Sequence, residues 1–349
     1  MLWASIIGPI LAGLTSGVAE PSPAVEADPL TRVRGMTVSC QTWGIEWGSD
    51  AFAAELDELA AIGVNWVAIH PYASIRADGE VRWRPLDPAA PPEWLARPIR
   101  EAHARGLGIL IKPHLAYWGS PFEWRGAIRF PAPRDRERFW RTYSEWIVGL
   151  ARVCADADAF AIGTELAHLE ADAERWRALA GAVRAETDAH LTYAANWDRF
   201  GEVTFWDALD CVGVQGYFPL EGEAAAGGRL PAAADLSAAW SGHFELLHAV
   251  HRRTGKPVVF TEVGFTRSRH AAARPWDPRR EDSQEAVELQ RRCLEATLRQ
   301  NDASDEWFRG VFLWKCFPGA SRSVDYALES PELRALIAER WREPGAGGR

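Results

Sequence analysis

Two glutamates occupy the same kind of place in this chain. Glu165 follows the run Phe160-Ala161-Ile162-Gly163-Thr164, and Glu262 follows Val258-Val259-Phe260-Thr261. Carboxylates set at the ends of two buried strands are what glycosidic-bond cleavage requires. One carboxyl must carry a proton to the departing oxygen, and the other must attack the sugar or activate water. Either glutamate alone is as readily a salt-bridged loop residue. The two together, on a rim crowded with polar groups and indoles, point to chemistry.

The elements between them must bring both strand ends to one mouth. Short apolar runs at 35–40, 64–70, 107–112, 159–163, 190–194, 210–215, 258–261 and 310–315 read as strands. Amphipathic helices are predicted at 50–61, 92–105, 135–156, 171–187, 235–253, 283–300 and 331–341, with a shorter, poorer one at 200–208. The strands are apolar on both faces, as a helix-jacketed parallel sheet requires. Repeated eight times, the alternation predicts an α/β fold, a single-domain (β/α)8 barrel over residues 31–345. An open doubly wound sheet holding a nucleotide would carry a glycine-rich turn after its first strand. Here that place holds Gln41-Thr42-Trp43-Gly44, with no GxGxxG. The Gly/Ala-rich stretch 221–234 reads as a loop insertion.

In a barrel the reacting groups leave from the C-terminal strand ends. Besides the two glutamates, those positions supply Trp43, His70, Lys112, His114, Thr164, Asn196, Trp197, Gln215, Tyr217, Trp314 and Lys315 as candidate substrate contacts. Lys112 and Lys315 are two of only three lysines in a chain whose other basic residues are arginine, which hints at a need for a compact ammonium there. The chain holds 18 Trp, far more than packing asks for. Trp43, Trp47, Trp118, Trp124, Trp197, Trp276 and Trp314 fall near strand-end loops, where sugar-stacking platforms are expected. Trp94, Trp140, Trp146, Trp176, Trp240 and Trp307 fall in helical spans, where packing is expected.

The combination Lys112-Pro113-His114, Gly163-Thr164-Glu165-Leu166, Asn196-Trp197-Asp198 and Thr261-Glu262-Val263-Gly264 is similar to the endo-β-1,4-mannanases of glycoside hydrolase family 113. That family sits in the large clan of retaining glycosidases built on a (β/α)8 barrel. The resemblance implies that Glu165 is the acid/base and Glu262 the nucleophile. It also implies that Tyr217 hydrogen-bonds the nucleophile and that Trp314 floors a sugar subsite. Most of the clan has Asn before the acid/base, where this chain has Thr164; Asn196 or His114 is then left to hold the substrate hydroxyl. The substrate implied is a β-linked oligo- or polysaccharide, mannan or glucomannan first, with glucan or galactan as the alternative. A barrel that binds sugar without cleaving it is the non-enzymatic alternative.

Other classes are disfavoured by composition. A formal net charge of -9 argues against a nucleic-acid partner. Cys40, Cys154, Cys211, Cys293 and Cys316 lie far apart, no Cys/His pairing has metal spacing, and the chemistry expected needs no cofactor or metal. Residues 2–14 are apolar and precede a Gly17-Val18-Ala19 step, so 1–30 read as an export leader with a flexible segment, which implies a secreted or periplasmic protein. No Lys or Arg precedes the apolar run, which leaves a cytoplasmic location as the alternative. No stretch is long enough for a comfortable membrane span.

Overall fold

The computed structural model describes residues 32–319 and 325–342. The leader expected within 1–30 lies outside them. In chain order the elements are β1 (Val33–Val38), α1 (Asp50–Ala61), β2 (Trp66–Ile69), β3 (Tyr72–Ile75), β4 (Val81–Arg82) and α2 (Glu93–Ala104). Then come β5 (Gly108–Ile111), β6 (His114–Ala116), α3 (Pro133–Val153), β7 (Ala159–Thr164), α4 (Ala173–Arg184) and β8 (His190–Asn196). The chain continues through β9 (Val212–Gln215), α5 (Ala233–Thr254), β10 (Val258–Val263), α6 (Gln284–Asp302), β11 (Phe308–Cys316) and α7 (Pro331–Trp341).

Eight of these strands close into a barrel in the order β1-β11-β10-β9-β8-β7-β5-β2, every neighbouring pair parallel. The expected (β/α)8 architecture is therefore present. No domain break occurs at 221–234, which spans the loop before α5 and that helix's first residues. Local signals set the helix limits. Ser49 and Ser330 cap α1 and α7 by accepting from Phe52 N and Leu333 N, and Pro331 opens α7. After α1 the chain turns at Gly63 (φ 90), where an added Cβ would collide with the backbone of Trp341.

Two departures matter for the site. No α-helix forms over 200–208; only a 3-10 turn at Trp206–Ala208 is present. Phe200, Val203, Phe205 and Trp206 are buried instead, and Phe205 stacks on Trp176 of α4 at 5.3 Å. Aromatic rings thus fill the space a helix would have covered. The second departure is a small sheet, β4-β3-β6, in which β3 pairs parallel with β6 and antiparallel with β4. It grows from the loops after β2 and β5 and raises one wall above the barrel mouth. All five cysteines are free thiols, so no disulfide braces the fold. No described helix is long and apolar enough to cross a membrane.

Candidate active site

Both glutamates stand where a strand loses its regular register. Pairing of β7 with β8 shifts between Ala161 and Thr164, and pairing of β10 with β9 shifts between Phe260 and Glu262. Such irregularities bend a strand and re-aim its side chains. Gly163 leaves room on β7 for the Trp176 ring, since a Cβ there would sit 2.8 Å from it. Glu165 then takes a left-handed conformation, φ 55, with its N–H donating to the Ala194 carbonyl at 2.9 Å. The next amide, Leu166 N–H, donates to the Tyr193 hydroxyl at 2.8 Å, which in turn donates to Glu170 Oε1 at 3.0 Å. Burial pushes the Glu170 carboxyl up to about 7, against the lowering effects of Tyr193 and of Arg199, 3.5 Å away.

Glu262 is 2% exposed and fully partnered. The Lys112 ammonium pairs with Oε1 and also donates to the Thr261 carbonyl at 2.9 Å. Tyr217 donates to Oε2 at 2.7 Å, and His114 Nε2 lies 3.4 Å from Oε1. Burial alone would raise this carboxyl. Lys112, His114 and Arg125 outweigh it and hold the group well below the usual carboxylate range. Burial, with Arg125 adding to it, pushes the His114 imidazole down to about 3, so a neutral ring faces the carboxylate. Lys112 is pushed down by burial and held up by Glu262; its ammonium also lies 5.4 Å from the Trp314 ring centre.

Glu165 has a partner that sequence reasoning missed. Arg125, from a short turn at Arg125–Ala127 between β6 and α3, donates through Nε at 3.1 Å and Nη2 at 2.6 Å. Both bonds reach Oε2, leaving Oε1 clear of the guanidinium. Arg125 also lies 5.8 Å from the Tyr117 ring. Nothing in a loop arginine's local sequence marks it; only the fold closes the 40-residue separation.

One cleft of about 650 Å³ joins these groups. Of the residues expected on the rim, Glu165, Glu262, His114, Asn196, Trp197, Tyr217, Trp314 and Lys315 line it. Trp314 lies beside Lys315, whose ammonium is 5.0 Å from the indole centre and 3.5 Å from Asp325. Trp197 stacks on Trp276 at 5.4 Å, and Asn196 Nδ2 donates to Asp198 Oδ1 at 2.8 Å.

Five expected contacts are not on this cleft. His70, Lys112, Thr164 and Gln215 are buried, and each makes at least one polar contact inside the protein. His70 pairs with Ser39 Oγ at 3.1 Å, Thr164 donates to the Pro113 carbonyl at 3.1 Å, and Gln215 accepts from Thr261 at 2.9 Å. Together with Lys112 they form a layer beneath the carboxylates. Trp43 lines a neighbouring recess. Trp47, expected among the stacking platforms, is fully buried and donates to the Val38 carbonyl at 2.9 Å. Tyr326, also on the cleft wall, came from no sequence signal; its hydroxyl donates to the Pro275 carbonyl at 2.7 Å. Among the described residues no group of three His, Cys, Asp or Glu is placed to hold a metal ion.

Comparison with known proteins agrees with this architecture. The sequence profile of Glycoside Hydrolase Family 113 matches residues 36–324. No curated protein matches by sequence. Among solved structures, a family 113 β-mannanase from Alicyclobacillus acidocaldarius is similar at TM-score 0.74 and 25% identity, over 90% of this chain and 98% of that one. A second family 113 β-1,4-mannanase has TM-score 0.75 and 18% identity, over 89% and 99% of the two chains. A family 5 mannosidase from Rhizomucor miehei shares the fold at TM-score 0.53 and 11% identity, over 89% and 93%.

Proposed function

The chain belongs to glycoside hydrolase family 113, and on that premise we propose that it cleaves β-1,4-linked mannan or glucomannan within the chain, with retention of configuration. The observation that carries the assignment of roles is the contrast between the two carboxyls. Glu262 lines the cleft almost wholly buried, held ionised by Lys112 and with Tyr217 donating to its second oxygen. Glu165 lines the same cleft with one oxygen unclaimed.

In the first step a Glu262 oxygen bonds to the anomeric carbon as the glycosidic C–O bond breaks. The departing oxygen takes a proton from Glu165, carried on Oε1 while Arg125 holds Oε2. Water then attacks the glycosyl-enzyme ester from the same face and gives its proton back to Glu165. That releases a β-configured product and regenerates both carboxyls. Trp314 supplies an apolar face for the sugar ring, and Asn196 and His114 are within the cleft to meet hydroxyls.

The test is a digest of β-1,4-mannohexaose, with β-1,4-glucan and β-1,4-galactan oligomers in parallel. Proton NMR reads the anomer formed first, and chromatography reads product lengths. Internal cleavage of the mannan oligomer with a β product is expected. An α product would overturn the retaining mechanism, and turnover of only the glucan or galactan oligomer would overturn the substrate.

A further inference from the structure

Beside the catalytic cleft lies a second recess of about 290 Å³, and Tyr72 lines both. Its size is near the lower end of the ~300–1,000 Å³ typical of small-molecule sites, room for one sugar unit rather than a chain. The small sheet builds its wall. Along β3 the alternation leaves Tyr72 and Ser74 half-buried on one face and buries Ala73 and Ile75 on the other. Register places Arg82 of β4 directly opposite Ser74. The indoles of Trp43, Trp83 and Trp94 supply apolar faces, with Trp43 39% exposed. An aromatic path leads in from the cleft: Trp118 meets Tyr72 at 4.9 Å, and Tyr72 meets Trp43 at 6.1 Å.

The polar chemistry of the two cavities differs. The cleft is mixed, with Glu165, Glu262, Asp198 and Asp325 beside Arg125 and Lys315. Among the described residues the recess is lined by no carboxylate and no amide; its charged groups are Arg82 and Arg84. Arg82 gives its Nε to Glu80 at 2.8 Å, whereas Arg84 is exposed and has no carboxylate partner among the described residues. In a chain of net charge -9, a cavity with guanidinium donors and few acceptors is selective in sign. Neutral sugar hydroxyls are served by mixed donors and acceptors. Guanidinium without acceptors suits a carboxylate, which it binds through paired, charge-assisted bonds.

We propose that this recess is a binding site for a carboxylate-bearing sugar, a uronic acid unit attached to the β-linked chain that occupies the cleft. The indoles pack against the pyranose ring while Arg84, with Arg82, takes the carboxylate. The enzyme is then selective for acidic, decorated mannans over neutral ones. The proposal rests on the reading above only in placing a β-linked sugar chain in the cleft.

The probes are β-1,4-mannopentaose and the same pentaose bearing one glucuronic acid, as both terminal positional isomers. For one isomer, kcat/KM of the unmodified enzyme should exceed that of the neutral pentaose by about tenfold, as for one charge-assisted contact. That ratio should fall towards one in the Arg82→Ala/Arg84→Ala protein and shrink at high salt. Titration calorimetry of the same sugars on Glu165→Gln protein, with and without the two arginines, reads binding apart from turnover. Hydrolysis of the neutral sugar with no acidic preference for either isomer would overturn the recess and leave the glycosidase reading standing. Arginine-dependent binding of the acidic sugar without hydrolysis of any probe would do the reverse.

Discussion

Tyr217 donates its phenolic hydroxyl to Oε2 of Glu262 at 2.7 Å. The backbone ties the same two segments together, Gly216 N–H donating to the Glu262 carbonyl at 2.6 Å. β9 and β10 are neighbours in the barrel, with Gln215 in register with Glu262. The phenol is therefore aimed by strand pairing rather than by a mobile loop, and it favours the charged form of the carboxyl.

Replacing Tyr217 with Phe keeps the ring and removes that bond. A hydrogen bond to a charged group is worth about 1.5–3 kcal/mol, so kcat/KM should fall about ten- to hundredfold. The acid limb of its pH profile should move to higher pH, because Glu262, the proposed nucleophile, loses a donor to its ionised form. An unmoved limb with unchanged rate would remove Tyr217 from this role.

Lys112→Met leaves Glu262 buried without its ammonium partner. Breaking a buried pair in this way costs about 3–5 kcal/mol. The wild-type pairing depresses the Glu262 pKa, so its stabilisation is complete above the ordinary carboxylate range and is lost as pH falls through the depressed value. The variant's deficit in thermal stability should therefore be largest at neutral pH and shrink in acid. A deficit independent of pH would show that Lys112 acts through packing alone.

The two catalytic roles separate with an aryl glycoside whose leaving group needs no proton. Glu165→Ala should still form the glycosyl-enzyme and accumulate it, and azide should restore turnover with a β-glycosyl azide product. Glu262→Ala should fail at the first step on the same substrate. Azide giving an α product with Glu262→Ala, and none with Glu165→Ala, would exchange the assignments.

Glu170 gives a stability prediction of opposite sign to Lys112. Its carboxyl is raised to about 7, so the folded protein holds the proton more tightly than the unfolded chain. Stability from this group is full in acid and is lost as pH rises from the ordinary carboxylate value through 7. Glu170→Gln keeps an acceptor for Tyr193 and does not ionise. Thermal scans should show little difference from wild type near pH 5 and a gain of roughly 2–3 kcal/mol near pH 8. Equal gains at both pH values would disprove the ionisation account.

Most of the barrel was legible because its signal is repeated. Strand and helix limits such as Asp50–Ala61 and Pro331–Trp341 follow from caps, prolines and amphipathic spacing. The helix expected at 200–208 failed because its apolar residues, Phe200, Phe205 and Trp206, satisfy burial equally well as a ring cluster without helical backbone. Strands as short as Val81–Arg82 fall below what periodicity resolves, although Tyr72-Ala73-Ser74-Ile75 does carry a period of two. At the site, residue type and position found both carboxylates and Tyr217. They did not separate Trp314, on the cleft, from Lys112 and Gln215, beneath it, since depth below a barrel rim depends on loops elsewhere. Arg125 was invisible for the same reason.

Glu165 carries its own backbone signature, a φ of 55 where side chains with a Cβ are disfavoured and glycine is at ease. Glycine normally ranks below alanine for stability, since it adds freedom to the unfolded chain. At this position the order should reverse. Glu165→Gly and Glu165→Ala both discard the carboxylate and its tie to Arg125, so their difference isolates the main chain, and glycine should be the more stable by about 1 kcal/mol. Selection for thermal tolerance alone, without an activity screen, would favour glycine over alanine at 165 and return a sturdier barrel without the carboxyl proposed as its proton donor.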